Sequence, residues 1–195
     1  MYVFGPGIES IPLMLRSART SLERQVAFRT WLDLQQLILA HALPSAIGVE
    51  TPDGKRLRQE LAGICAFAFT HHDEREMAEQ EWFLTWLSAR VIESEPLLLL
   101  ASPLACGFEF IKPWLAASVD HPWLDQQWTH ARELFEAAKP DELSTHLNRL
   151  MTARTKQVLA LAELDDPRPR RSGLHAPLKE MIRVRSRVQG RRSPR

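Results

Sequence analysis

The sequence predicts an all-α protein: a single-domain bundle of about six helices around a central apolar, proline-interrupted helix, with a basic C-terminal tail. Three observations carry this. Long stretches rich in Leu, Ala, Glu, Gln and Arg alternate with Pro and Asp punctuation, and only Ile47-Gly48-Val49 hints at extended chain. Hydrophobic residues make up 45% of the 195, and a chain of this length buries roughly 70% of its unfolded surface. Four of the six tryptophans, Trp82, Trp86, Trp114 and Trp123, fall between Met77 and Trp123, beside the apolar run from Pro96 to Phe108.

Residues 1–9 read as an irregular arm, with Tyr2, Val3 and Phe4 as apolar anchors around a Gly5-Pro6-Gly7 turn. The bundle follows over residues 10–166. Ser10 is placed to cap a short turn over Ile11–Ala18. Thr20 and Glu23 have the spacing of a capping box, so the first long helix starts there and is expected to end at Pro44. Its inward side is Leu22, Val26, Trp31, Leu32, Ile38, Leu39 and Ala42.

Thr51 and Pro52 open a second helix to about Thr70, with Leu57, Leu61, Ile64, Cys65 and Ala68 inward. Asp73, with Glu76 three residues on, opens a third. There Met77, Phe83, Leu84, Leu87 and Val91 take core spacing, and Trp82 and Trp86 lie one turn apart on a flank. Ser94-Glu95-Pro96 starts the apolar segment, which is expected to break near Pro103 and again around Gly107 and Pro113. A helix apolar on all sides is normally buried. After Asp120-His121-Pro122, the run Leu124, Trp128, Ala131, Phe135 forms the clearest amphipathic stripe in the chain. Lys139-Pro140-Asp141 turns into the last core helix, with Leu143, Leu147, Leu150, Met151, Val158 and Leu161 inward.

A net charge of +1 conceals an asymmetry. The tail, residues 167–195, carries Arg168, Arg170, Arg171, Lys179, Arg183, Arg185, Arg187, Arg191, Arg192 and Arg195 against Glu180 alone. That leaves 15 basic and 23 acidic residues in 1–166. The tail reads as largely disordered with one short basic helix over Pro177–Gln189. It suits nucleic acid or an acidic partner, by sequence-independent and salt-dependent contact, and it has no aromatic residue for stacking on single strands.

Cys65 and Cys106 sit in apolar sequence without CxxC spacing and are expected to be buried, reduced thiols. The start of the chain lacks the n- and h-regions of a signal peptide, and the proline-broken apolar block falls short of the ~20 residues a spanning helix needs. The expectation is a cytoplasmic protein with no membrane span.

The densest cluster of metal-ligand types is His71-His72-Asp73-Glu74-Arg75-Glu76, followed by Glu79 and Glu81. His71, His72, Asp73 and Glu76 are the metal candidates, since His72 and Glu76 share a helix face. Acidic residues at a helix start are also what the helix dipole favours on ordinary solvated surface. His41, His72-Asp73 and Asp120 can be laid out in the order of an HD-type phosphohydrolase. No P-loop, GxGxxG, HExxH or GxSxG occurs, and no cofactor is implied. The tryptophans offer the other kind of site: Trp82, Trp86, Trp114 and Trp123 are partner-binding candidates, because Trp anchors interfaces as readily as cores.

Phe4-Gly5-Pro6-Gly7, Glu81-Trp82-Phe83-Leu84, and Pro113-Trp114 followed by His121-Pro122-Trp123 resemble pieces of the cytoplasmic chaperones of molybdoenzyme maturation. The pieces differ from that family in position and spacing, and its Pro-x-Asp-His element is absent. The resemblance implies an all-helical chaperone that binds a partner enzyme. The residues taken alone favour a non-enzymatic adaptor or assembly subunit, and a metal-dependent helical enzyme centred on His71–Glu76 is the competing class.

Overall fold

The computed structural model describes residues 10–70 and 73–163, with backbone alone for residues 65–70 and 121. The described residues are 87% helical, form seven helices without a strand, and make one all-α domain. The helices are α1 (Ile11–Ser17), α2 (Ser21–Ser45), α3 (Pro52–Thr70), α4 (Glu74–Val91), α5 (Glu95–Ala117), α6 (His121–Glu136) and α7 (Pro140–Glu163). The arm and the basic tail lie outside the described residues.

Local chemistry sets most of the boundaries. Thr20 Oγ1 accepts from the Glu23 N–H, and the Glu23 carboxylate accepts from the N–H groups of Thr20 and Arg19, completing a capping box. Thr51 Oγ1 accepts from the Gly54 N–H at the start of α3, and Asp73 Oδ1 accepts from Arg75 and Glu76 at the start of α4. Helix α6 closes with paired bonds from Ala138 N–H to Phe135 O and from Lys139 N–H to Leu134 O, which put Ala138 at φ +54°. Ile47-Gly48-Val49 is a turn: Gly48 takes φ +79°, and Val49 N–H donates to Ala46 O.

Proline does not end helices where the sequence suggests. Helix α2 continues through Pro44 to Ser45. Pro44 has no N–H for the Ala40 carbonyl, and Ser144 Oγ of α7 donates to that carbonyl at 2.9 Å instead. Helix α5 is one unbroken element of 23 residues through Pro103 and Pro113. The carbonyls deprived of an N–H partner there belong to Leu99 and Glu109, both exposed residues, so water can serve them. By length and composition α5 is thus able to cross a membrane, and it is the one such helix among the described residues. Here one side of it is core: Leu97, Ala101, Leu104, Phe108, Ile111 and Leu115 are buried.

Two apolar clusters make up the core. One joins α1, α2, α5 and the end of α7, with Ala78 and Ala89 of α4, through Ile11, Leu15, Phe28, Trp31, Leu104, Trp114 and Val158. The other joins the end of α2 with α3, α4, α6 and the start of α7, through Leu43, Leu57, Leu61, Leu84, Trp128 and Leu147. Trp86 and Ile92 pack against both. Gly107 permits the approach of α1 and α2 to α5: a Cβ there would stand 2.6 Å from Leu15 Cδ1 and 3.3 Å from Trp31 Cδ1. Trp31 Nε1 donates to Leu104 O at 2.9 Å across the same contact.

The expected inward faces of α6 and α7 are buried as read, and those of α2 and α4 need correction. Leu22 and Val26 are 69% and 49% exposed, because α2 turns Ala27 and Phe28 inward one residue out of step with them. Phe83 is half-buried. Cys106 is exposed on α5, contrary to the buried thiol expected of it, because it stands on the side of α5 that none of the other described helices covers. The side chain of Cys65 lies outside the described residues.

Candidate functional site

Helix α4 presents its half-buried aromatic residues over one long flank. Trp82 lies against Trp31 (centroids 5.6 Å) and stacks on Phe108 (5.9 Å, 21° between planes). Phe83 stacks on Trp86 at 6.0 Å. Cations roof this flank, with Arg56 over Phe83 at 4.9 Å, Arg90 over Trp86 at 5.4 Å and Lys112 over Phe108 at 5.9 Å.

Two clefts open here. A cleft of about 510 Å³ is lined by Glu76, Glu79, Gln80, Trp82, Phe83 and Phe108. Lys112 reaches across it to form an ion pair with Glu79, whose carboxylate holds the Lys112 ammonium above the usual lysine range. The other, of about 390 Å³, has Trp86 and Leu98 as its apolar lining, with Asp53, Arg90, Glu93 and Glu95 at the rim. Arg90 Nε binds Asp53 at 3.0 Å, tying α4 to the start of α3. Both clefts are open, with aromatic floors and charged rims. Such a surface can hold an apolar anchor and orient the charges beside it.

The four tryptophans do not form one patch. Trp82 and Trp86 share the α4 flank through Phe83. Trp114 is buried, packed against Phe28 at 5.5 Å with Arg24 over its ring. Trp123 is half-buried against the other apolar cluster, at the start of α6.

Asp73 spends its carboxylate on the α4 cap, and Glu76 is exposed at the cleft rim. His71 and His72 lie outside the described residues, as do Arg168, Arg170, Arg171, Lys179, Arg183, Arg185, Arg187, Arg191 and Arg192. Among the described residues no three His, Cys, Asp or Glu side chains are grouped to hold a metal ion.

Glu81 is not surface, although it continues the acidic run. It is buried and accepts from Arg154 Nη2 at 2.8 Å and from Trp128 Nε1 at 3.1 Å. Arg154, 1% exposed, also donates to Ser118 O (2.9 Å), Ser118 Oγ (2.7 Å) and Leu115 O (3.2 Å), so it fastens the end of α5 to α7. Thr85 Oγ1 donates to Glu81 O and accepts from Gln35 Nε2, extending the network to α2. No cleft described here reaches the pair, and its geometry is that of a structural tie. A signal for it was present in the chain. Glu81 falls between Met77 and Leu84 on the core stripe of α4, and Arg154 between Met151 and Val158 on that of α7. Opposite charges at two core positions belong together.

His130 and His146, which sequence reasoning left aside, meet edge to face at 4.8 Å beside a cleft of about 340 Å³ between α6 and α7. His146 Nε2 lies 2.9 Å from the Gln127 carbonyl, and His130 Nδ1 lies 3.4 Å from Glu133. Burial depresses the His146 pKa, and the coulombic influence of nearby His130 and Arg149 adds to this against the opposing bond to Gln127.

No protein-family model matches the chain, and neither a curated protein nor a solved structure is detectably similar to it. The pieces that resemble molybdoenzyme chaperones have separate packing roles here. Glu81 and Leu84 are core, Pro113 and Trp114 lie within the last two turns of α5, and Pro122 and Trp123 begin α6; Phe4–Gly7 lies outside the described residues.

Proposed function

We propose that this chain is a non-enzymatic interaction protein, an adaptor or assembly subunit, whose protein partner docks on the α4 flank. The observation that carries the reading is the cleft where Trp82, Phe83 and Phe108 are walled by Glu76 and Glu79. A segment with one apolar anchor and a neighbouring Lys or Arg fits that chemistry. Aromatic anchors in a desolvated pocket are where interface energy concentrates. The basic tail adds an electrostatic contact to an acidic partner or nucleic acid.

The test is capture from the native host with three baits: the full chain, the chain carrying Phe83→Ser with Glu79→Lys, and the chain lacking residues 167–195. Glu79 is exposed and Phe83 half-buried, so circular dichroism and a melting curve are used to check that the double variant keeps the fold. The reading expects a partner retained by the full chain and lost with the double substitution. Retention undiminished by that substitution refutes the docking surface. Salt-dependent DNA or RNA binding that survives removal of the tail refutes the tail's role.

A further inference from the structure

We infer that the basic tail folds back as a helix over Pro177–Gln189 and covers the α4 flank of its own chain, so that a partner docking there must displace it. The inference rests on the reading of that flank as a docking surface and adds its regulation. Charge, reach and spacing carry it. The cations that roof the flank are already paired, Arg56 with Glu60, Arg90 with Asp53 and Lys112 with Glu79. Glu76 at one cleft, and Glu93 and Glu95 at the other, are exposed and have no ion pair among the described residues. The groove is thus an aromatic floor with three uncompensated carboxylates, on a body where acidic residues outnumber basic ones by 23 to 15. Within this chain the matching excess of positive charge lies in residues 167–195.

The tail leaves the body at the right end of the bundle. Gln36 meets Asn148 and Ala40 meets Ser144, so α7 runs antiparallel to α2 and finishes beside its start. Trp31 meets Trp82 and Gln35 meets Thr85, so α4 runs parallel to α2 and begins at that same end. From Glu163, where α7 closes, 13 residues lead to Pro177. A flexible chain of that length spans about 20 Å on average and about 45 Å at full stretch, enough to cross the end of a helix bundle.

Spacing matches the segment to the groove. At about 100° per residue, Leu178, Met181, Ile182, Val184 and Val188 fall in one arc of the tail helix, with Arg185 inside the arc and Lys179 and Arg187 bordering it. Val188 follows Met181 by seven residues, as Trp86 at one cleft follows Glu79 at the other, so both spans are two turns, about 10 Å. Entering at Glu76, the helix lays Leu178, Met181 and Ile182 on Trp82, Phe83 and Phe108, and Val188 on Trp86. Lys179 then stands near Glu76, and Arg185 and Arg187 near Glu93 and Glu95. Tethering brings the segment to an effective concentration in the millimolar range, so a modest contact keeps the groove covered. A partner that displaces the tail frees its charges for the electrostatic contact proposed above.

The test uses the full chain with no partner present. The photo-reactive variant Ile182→p-benzoylphenylalanine is illuminated at low concentration, and the cross-linked peptides are identified by mass spectrometry. A link within one chain to residues 76–90 or to Phe108 is expected. Glu76→Lys with Glu93→Lys is expected to lose that link, while Asp33→Lys with Glu136→Lys, at positions that line neither cleft, keeps it. All four carboxylates are exposed, and circular dichroism checks that each variant is folded. A chain that gives no link to the flank overturns the inference. So does a link formed only between two chains, or one indifferent to Glu76→Lys with Glu93→Lys. Cross-linking needs no partner, so its outcome is separate from the capture experiment. A link together with capture undiminished by Phe83→Ser with Glu79→Lys refutes the docking surface alone; no link together with capture lost in that variant refutes the tail's return alone.

Discussion

Arg154 is buried with both Nη groups bonded to Glu81, Ser118 and the Leu115 carbonyl and its Nε left without a bond, and this decides what its substitution does. Arg154→Met is expected to destabilise the protein by about 3–5 kcal/mol in urea unfolding, because it strands the Glu81 carboxylate in apolar surroundings. Adding Glu81→Leu is expected to restore most of that loss. The pair confers little net stability over apolar packing, and its cost lies in being broken. An additive double mutant would refute this account. The pair was legible in principle from two charged residues on core stripes. A run of acidic neighbours, Glu74, Glu76 and Glu79, made Glu81 read as surface when only the helical phase distinguishes it from them.

At the scale of the element, proline and helix termini carry the testable content. Ser144 Oγ stands in for the N–H that Pro44 lacks. Ser144→Ala is expected to cost about 1–2 kcal/mol alone and clearly less in a Pro44→Ala background, where residue 44 again donates to Ala40 O. Chemical denaturation of the four proteins of that cycle checks it. At the end of α6, Ala138 holds φ +54°, a conformation glycine adopts without penalty. Ala138→Gly is expected to raise stability by about 0.5–1 kcal/mol.

These two cases show why element ends were only half legible. Capping side chains such as Thr20 and Asp73 act within three residues and can be read locally. The rescue of Ala40 comes from a residue 104 positions away, and α5 survives its prolines because its outer side faces water. Neither fact is visible in a window of sequence. The candidate interaction surface was legible in part: Trp82 and Trp86 sit on one flank as their spacing implied, while Trp114 went to the core with Phe28.

For the whole molecule, acid is the condition that discriminates. Burial depresses the His146 pKa below its ordinary 6.5, so the unfolded chain takes up that proton first. The contribution is complete above 6.5 and is lost as pH falls from there through the folded-state value. His146→Gln is expected to flatten the fall in unfolding free energy over that window, measured by urea titrations at successive pH values. An unchanged slope would assign the acid sensitivity elsewhere.

The two apolar halves of the bundle meet along a polar seam that runs from Gln35 through Thr85 and Glu81 to Arg154 and Ser118. Apart from the local Thr85–Glu81 bond, its bonds join residues 36 to 73 positions apart, whereas the helices on either side are held by local ones. Loops of that span close late. The seam therefore belongs to the last act of folding. Substitutions in it are expected to leave the refolding rate nearly untouched and to accelerate unfolding, so it acts as a latch on the lifetime of the native state.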